Sequence, residues 1–359
     1  MKKFLGLIFA FSIGAFILLS CEGPQGPQGP QGPAGKDGKD GKDASLSCTA
    51  CHGNDKVDFL MAQYDLSRHN KGTIYEDVAA GRLACGGCHS GDGFAESIAL
   101  NQDDPKTKST SKINCAACHP IHEKFEYAAD FSLRVKDPIK LRRSGETYDF
   151  KTGNICARCH QARPHFDIFG ADTIIRATSG NWTRVGPHYG PHANVFAMKG
   201  LYRIEGSTPI PSNNPHNNLQ KGCVSCHMGS LSTNPAVGGH TFKMSGSQFS
   251  EIQECKGCHP DASIFTNTPK AKEIAKLLKE YRQLLIEKQL LDTSQAITAN
   301  GYNLLGEYLR ATSQGQKYTK EDYQVAINYL YLAKDRSLGI HNPAYVYALV
   351  KNGVEYLKQ

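Results

Sequence analysis

The sequence predicts a mainly α fold with much irregular loop, and three observations predict it. Apolar residues recur at helical spacing from Ile274 onward. Between the first twenty positions and Ile274 the chain is rich in Gly, Asn, Ser, Thr and Pro, with few large apolar side chains. Along that same stretch Cys and His recur in one repeated pattern. The 359 residues, 40% of them hydrophobic, suffice for one large domain or two medium ones. A polar, loop-rich stretch cannot bury enough apolar side chain to offset the entropy of ordering it. Something other than protein must supply its interior.

The cysteines say what. Thirteen are present, and all but Cys21 fall into six Cys-x-x-Cys-His units. These are Cys48, Cys51 and His52; Cys85, Cys88 and His89; Cys115, Cys118 and His119; Cys156, Cys159 and His160; Cys223, Cys226 and His227; and Cys255, Cys258 and His259. This spacing is the attachment signature of c-type haem. Two thiols one helical turn apart meet the two porphyrin vinyl groups as thioethers, and the adjacent imidazole reaches the iron. Structural zinc uses paired Cys-x-x-Cys units and disulfides use even numbers of Cys, but neither requires a His after every second Cys. The sequence therefore predicts six covalently attached haem c groups, held by these twelve cysteines and six proximal histidines. With fewer than about fifty residues of chain per motif, neighbouring porphyrins must share walls and form most of the interior.

Each iron has a second axial position, and eight histidines lie outside the motifs: His69, His122, His165, His188, His192, His216, His240 and His341. His122 follows His119 by three residues, too short a link to wrap one porphyrin, so it is assigned to a neighbouring haem. His69 and His216 are plausible by position, and His165 and His192 are spares. Met61, Met198 and Met244 read as packing, and Met228 cannot cross the haem of its own motif.

Gly186-Pro187-His188-Tyr189-Gly190-Pro191, Gly222-Cys223 to Met228, and Gly238-Gly239-His240-Thr241-Phe242 resemble the multihaem cytochromes related to pentahaem nitrite reductases, octahaem reductases and hydroxylamine oxidoreductase. The tail Asp335-Arg336-Ser337-Leu338-Gly339-Ile340-His341-Asn342-Pro343 is similar to the C-terminal ligand loop of that group. The resemblance implies a multihaem cytochrome c fold, with His188, His240 and His341 as distal ligands. The sequence departs from the nitrite reductases in having no Cys-x-x-Cys-Lys unit, the usual mark of their catalytic haem.

From Lys270 an apolar stripe of Ile274, Leu277, Leu278, Tyr281, Leu284 and Leu285 predicts an amphipathic helix. Thr319 to Asp322 opens a second helix with a capping-box pattern, and Gly339 is expected to end it. Asn342-Pro343 should cap and begin a third, fixing His341 on the joint of a C-terminal helical bundle.

The N-terminus reads as an export leader, with Lys2 and Lys3 before an apolar run from Phe4 to Leu19. Leu18-Leu19-Ser20-Cys21 resembles a bacterial lipobox, which implies cleavage before Cys21 and lipidation of that residue. Gly23 to Asp43 then forms seven Gly-X-Y triplets, the collagen requirement. Extended, this stalk would span ~65 Å at about 3.1 Å per residue. It reads as a spacer, with a homotrimer through the stalk as an option and a flexible tether on a monomer as the other.

The predicted organisation is thus a leader (1–20), a lipidated Cys with stalk (21–44), a hexahaem domain (45–265) and a C-terminal helical region supplying a ligand (266–359). The formal charge of +7 falls by two with the leader, and each ferric haem with two propionates adds roughly −1. A nearly neutral product excludes a nucleic-acid role. The expected function is electron transfer between a respiratory donor and a periplasmic or extracellular acceptor, from an outer-membrane anchor, with redox proteins as partners. The alternative is an oxidoreductase acting on nitrite, hydroxylamine or a similar small molecule at one open haem. The intact mass of the exported protein should exceed that of its polypeptide by six haems; a product lacking that increment would overturn the cofactor reading.

Overall fold

The computed structural model describes residues 52, 55–163, 187–229, 236–244, 256, 258–259, 268–292, 298–299, 302–303, 308–309 and 319–359. The leader, Cys21, the Gly-X-Y stalk, Cys48, Cys51, His165 and Cys255 lie outside the described residues. Leu46–Gln359 form one compact unit. Among the described residues no helix is long and apolar enough to cross a membrane.

The chain is mostly helical with little strand. The helices of the Cys/His stretch are short: α1 (Asp55–Asp65), α2 (Arg68–Lys71), α3 (Ile74–Ala79), α4 (Gly86–His89), α5 (Gly91–Ala99), α6 (Cys115–Cys118), α7 (Tyr127–Asp130), α8 (Asn154–Cys159), α9 (His192–Ala197) and α10 (Cys223–His227). An antiparallel pair, β1 (Ile139–Lys140) and β2 (Thr147–Tyr148), aligns Ile139 with Tyr148. The C-terminal part holds the long helices α11 (Pro269–Glu287), α12 (Lys320–Asp335) and α13 (Pro343–Leu357). Between α11 and α12, β3 (Leu291–Asp292) pairs with β6 (Tyr308–Leu309), and β4 (Thr298–Ala299) with β5 (Tyr302–Asn303).

The three long helices begin where their sequences dictate. The Thr268 hydroxyl accepts from the N–H of Ala271, with Pro269 in the first turn of α11. Thr319 and Asp322 close a reciprocal capping box on α12. Asn342 caps α13 ahead of Pro343. Helix α12 stops at Asp335, earlier than Gly339 would have ended it, because Arg336 turns left-handed at φ +58°.

Ile274, Tyr281 and Leu285 of α11 pack with Tyr323, Ile327 and Leu330 of α12 and with Val346, Leu349 and Val350 of α13 in one core. Tyr281 ties the three helices together. Its hydroxyl donates to the Val325 carbonyl at 2.7 Å, and its ring lies where a Cβ on Gly353 would come within 2.3 Å.

The polar middle stretch has a small core of its own, which its composition did not suggest: Phe94, Leu141, Phe150, Ile155 and Phe196, with motif residues Cys118, Cys156, Cys159 and Cys223 against its edge. Its irregular backbone is held by buried asparagines. Asn154 accepts from the N–H of Phe150 at 2.7 Å and donates to the Lys136 carbonyl at 3.0 Å. Asn194 accepts from Ala162 N–H and donates to Lys199. Asn328 of α12 accepts from the N–H of Tyr202 and donates to its carbonyl, mimicking a strand partner, and Asn352 of α13 does the same service for Ile204 and Thr208. Backbone groups without a helix or sheet to join are thereby satisfied.

Gly353→Ala should lower stability by about 1–3 kcal/mol, the usual cost of overpacking a core, despite the higher helix propensity of Ala. A lower thermal midpoint by circular dichroism checks it; an unchanged midpoint would mean Tyr281 can move aside.

Candidate haem sites

Four of the motifs are resolved through both cysteines, and each pair sits on one helical turn: Cys85 and Cys88 at α4, Cys115 and Cys118 on α6, Cys156 and Cys159 on α8, Cys223 and Cys226 on α10. Asn114 caps α6 by accepting from Ala117 N–H, so the attachment turn is fixed at its entry. Among the described motif cysteines, Cys85, Cys88, Cys115, Cys118, Cys156, Cys159, Cys223 and Cys258 are in no disulfide. Thiols of different motifs meet. Cys88 and Cys159 lie close enough to perturb each other's ionisation, as do Cys156 and Cys223. Gly153, one residue before α8, permits the second contact, since a Cβ there would lie 2.8 Å from the Cys223 Sγ.

The imidazoles form the main pattern. His52 faces His122 with ring centroids 6.0 Å apart, His89 faces His188 at 5.9 Å, and His119 faces His240 at 6.5 Å. His160 faces His69 at 6.0 Å, His227 faces His341 at 6.3 Å, and His259 faces His216 at 6.5 Å. Each pair joins one motif histidine to one histidine outside the motifs. Two imidazoles bonded at about 2 Å to opposite faces of one metal place their ring centres ~6 Å apart. The side chains present therefore fit an iron between each pair.

Ligation needs a neutral imidazole, and burial favours that form in seven of these rings. Burial lowers the pKa of His69, His89, His160, His216 and His240, and brings His188 to about 3 and His227 to about 4. His119 Nδ1–H donates to the Ser132 carbonyl at 3.0 Å, and His227 Nδ1–H to the Phe242 carbonyl at 3.2 Å. A carbonyl can only accept, so Nδ1 carries the proton and Nε2 keeps its lone pair. His341 differs. Burial pulls its pKa down, but the charge and hydrogen bond of Asp335 outweigh that and raise it.

Local devices hold the outer histidines. His122 and His188 lie at φ +64° and +68°, uncommon for residues other than Gly and concentrated at functional positions. Asp130, 5% exposed, clamps the first of these turns by accepting from the N–H groups of His122, Lys124 and Phe125. Gln63 of α1 accepts from the N–H of His240. The ring edge of His69 meets Phe242 at 5.0 Å. Asn214 accepts from His216 N–H and donates to the His341 carbonyl at 2.9 Å, binding two of these segments together.

His192 lies 5.5 Å from His160 and 5.1 Å from His341. It forms a cluster with Asp335 and His341 whose ligand atoms lie within 4.8 Å of one another. Sequence reasoning missed Asp335, Asp130 and Asn214 as site residues. Asp335 reaches His192 and Asn214 reaches the His341 carbonyl only through the fold, whereas Asp130 serves a turn a few residues before it in the chain.

No family model matches the chain, and neither does any curated protein. Among solved structures the chain is similar to the outer cell wall cytochrome OcwA, at 18% identity and a TM-score of 0.47, over 82% of this chain and 49% of that one. It is also similar to an undecahaem cytochrome from the S-layer of Carboxydothermus ferrireducens, at 19% identity and a TM-score of 0.44, over 80% of this chain and 40% of that one. The chain thus spans about half the length of the first and two fifths of the second.

Replacing His240 by Ala removes the imidazole facing His119. Electronic and EPR spectra of the haem-loaded protein should then gain one high-spin site among six, whereas a wholly low-spin spectrum would retire that pairing.

Proposed function

We propose that the chain is a c-type cytochrome with six covalent haems that passes electrons between a respiratory donor and a periplasmic or extracellular acceptor. One observation carries the reading: every motif histidine faces a histidine from elsewhere in the chain at 5.9 to 6.5 Å. The cysteines of the six motifs hold the porphyrins. His52, His89, His119, His160, His227 and His259 are the proximal ligands, and His122, His188, His240, His69, His341 and His216 in that order are the distal ones.

When bound, haem iron alternates between ferric and ferrous and so stores one electron per site. The protein would supply two imidazoles to each iron, and in His119, His227 and His341 donation from Nδ1–H would leave Nε2 to bind it. Filled positions suit conduction. Catalysis on a small nitrogen compound needs an open distal position with acid–base groups around it. The contacts Cys88–Cys159 and Cys156–Cys223 support close packing of cofactors, because they bring attachment turns of the second, fourth and fifth motifs together.

Kinship with the nitrite reductase and hydroxylamine oxidoreductase group belongs to the same proposal, carried by the residues around His188, His240 and His341. So does placement outside the cytoplasm, with a lipid on Cys21 anchoring the protein to the outer membrane and the Gly-X-Y stalk as spacer. Carbon monoxide and nitrite added to the reduced protein test conduction against catalysis. Six bis-histidine irons should leave the spectrum unchanged, and a shift at one haem would favour the reductase.

A further inference from the structure

Asp335 is 3% exposed, at the last position of α12. Its Oδ1 accepts from His341 Nδ1–H at 2.7 Å and from His192 Nδ1–H at 3.0 Å, while the Ser337 hydroxyl donates to Oδ2. A carboxylate this deeply buried is costly unless paired and hydrogen-bonded, and both of its oxygens are engaged. His341 in turn faces His227. Nδ1 of His341 is committed to the carboxylate, which leaves Nε2 as the nitrogen available to iron.

His192 stacks against His160, with the rings 27° apart, whereas His69 meets His160 at 59°. A Cβ on Gly190 would lie 3.4 Å from His192 Nε2 and 3.5 Å from His160 Nδ1. Both nitrogens therefore border the same small space beside Gly190, and Nδ1 of His192 is taken by Asp335. His69 is the other ring beside His160.

We propose that Asp335 lowers the reduction potential of the haem held by His227 and His341, with His192 as the second donor to that carboxylate and not an iron ligand. This rests on the six-haem reading. An anionic acceptor on Nδ1–H makes the imidazole a stronger electron donor, and a stronger donor stabilises ferric over ferrous iron. Asp335 is a positioning residue in this scheme: it orients the His341 ring and acts through it. The bond from His192 draws off part of the carboxylate's charge and so moderates the effect.

The test uses the full haem-loaded chain, titrated by spectroelectrochemistry. Asp335→Asn keeps the side-chain volume and removes the charge. One of the six midpoint potentials should rise, by about 59 mV for a tenfold change in ferric over ferrous preference, while all haems stay low-spin. His192→Ala should leave six low-spin haems and move the same potential downward, since the carboxylate then serves His341 alone. Should Asp335→Asn fail to load haem, His192→Ala on its half-exposed site decides alone. Potentials that stay in place in the variants that load, or a high-spin haem in His192→Ala, would overturn the proposal. Loss of the six-haem reading registers separately, as a wild-type mass without six haems.

Discussion

Six motif histidines each face an imidazole from elsewhere in the chain across about 6 Å, and the rest of the described Cys/His stretch is built around these pairs. A motif places only one of the two, on the turn that also bears its cysteines. The other comes from a distant segment, as when His69 reaches His160 or His227 meets His341. Each pair therefore acts as a long-range crosslink in waiting. The fold of the middle stretch is the set of loops that lets all six pairs close together.

Such loops cannot be stabilised as helices and sheets are, so the sequence uses polar side chains as substitutes. Asn154, Asn194, Asn214, Asn328 and Asn352 are all buried and each satisfies backbone groups of an irregular segment. Asp130 does this for the turn of His122, whereas at the joint of His341 the Ser337 hydroxyl accepts the backbone N–H and Asp335 takes the imidazole Nδ1–H. Against this, the C-terminal helices need no such help. Their apolar faces meet around Tyr281 and offer a firm wall on which residues 201–210 are pinned by Asn328 and Asn352. The two halves follow different rules of assembly, though they lie in one compact unit.

What could be read from the sequence follows this division. The motif turns, the stripe from Ile274 to Leu285 and the caps at Thr319 and Asn342 are local patterns, and local patterns were legible. Gly339 looks like the stop signal of α12, whereas the helix ends at Asp335 with Arg336 in the left-handed conformation, which no glycine marks. The core of Phe94, Leu141, Phe150, Ile155 and Phe196 was invisible for a similar reason, since each segment gives it only one or two side chains. The histidine pairs were open to inference as a set, six facing six. Their partners were not, because pairing is a property of the folded chain.

The meeting of Cys88 with Cys159 and of Cys156 with Cys223 has a consequence for biogenesis. Thiols that touch are the substrate an oxidising compartment turns into disulfides. Here each such bond would join different motifs and spoil two attachment turns at once. Were the chain exported to such a compartment, cofactor attachment would have to precede oxidation of these thiols.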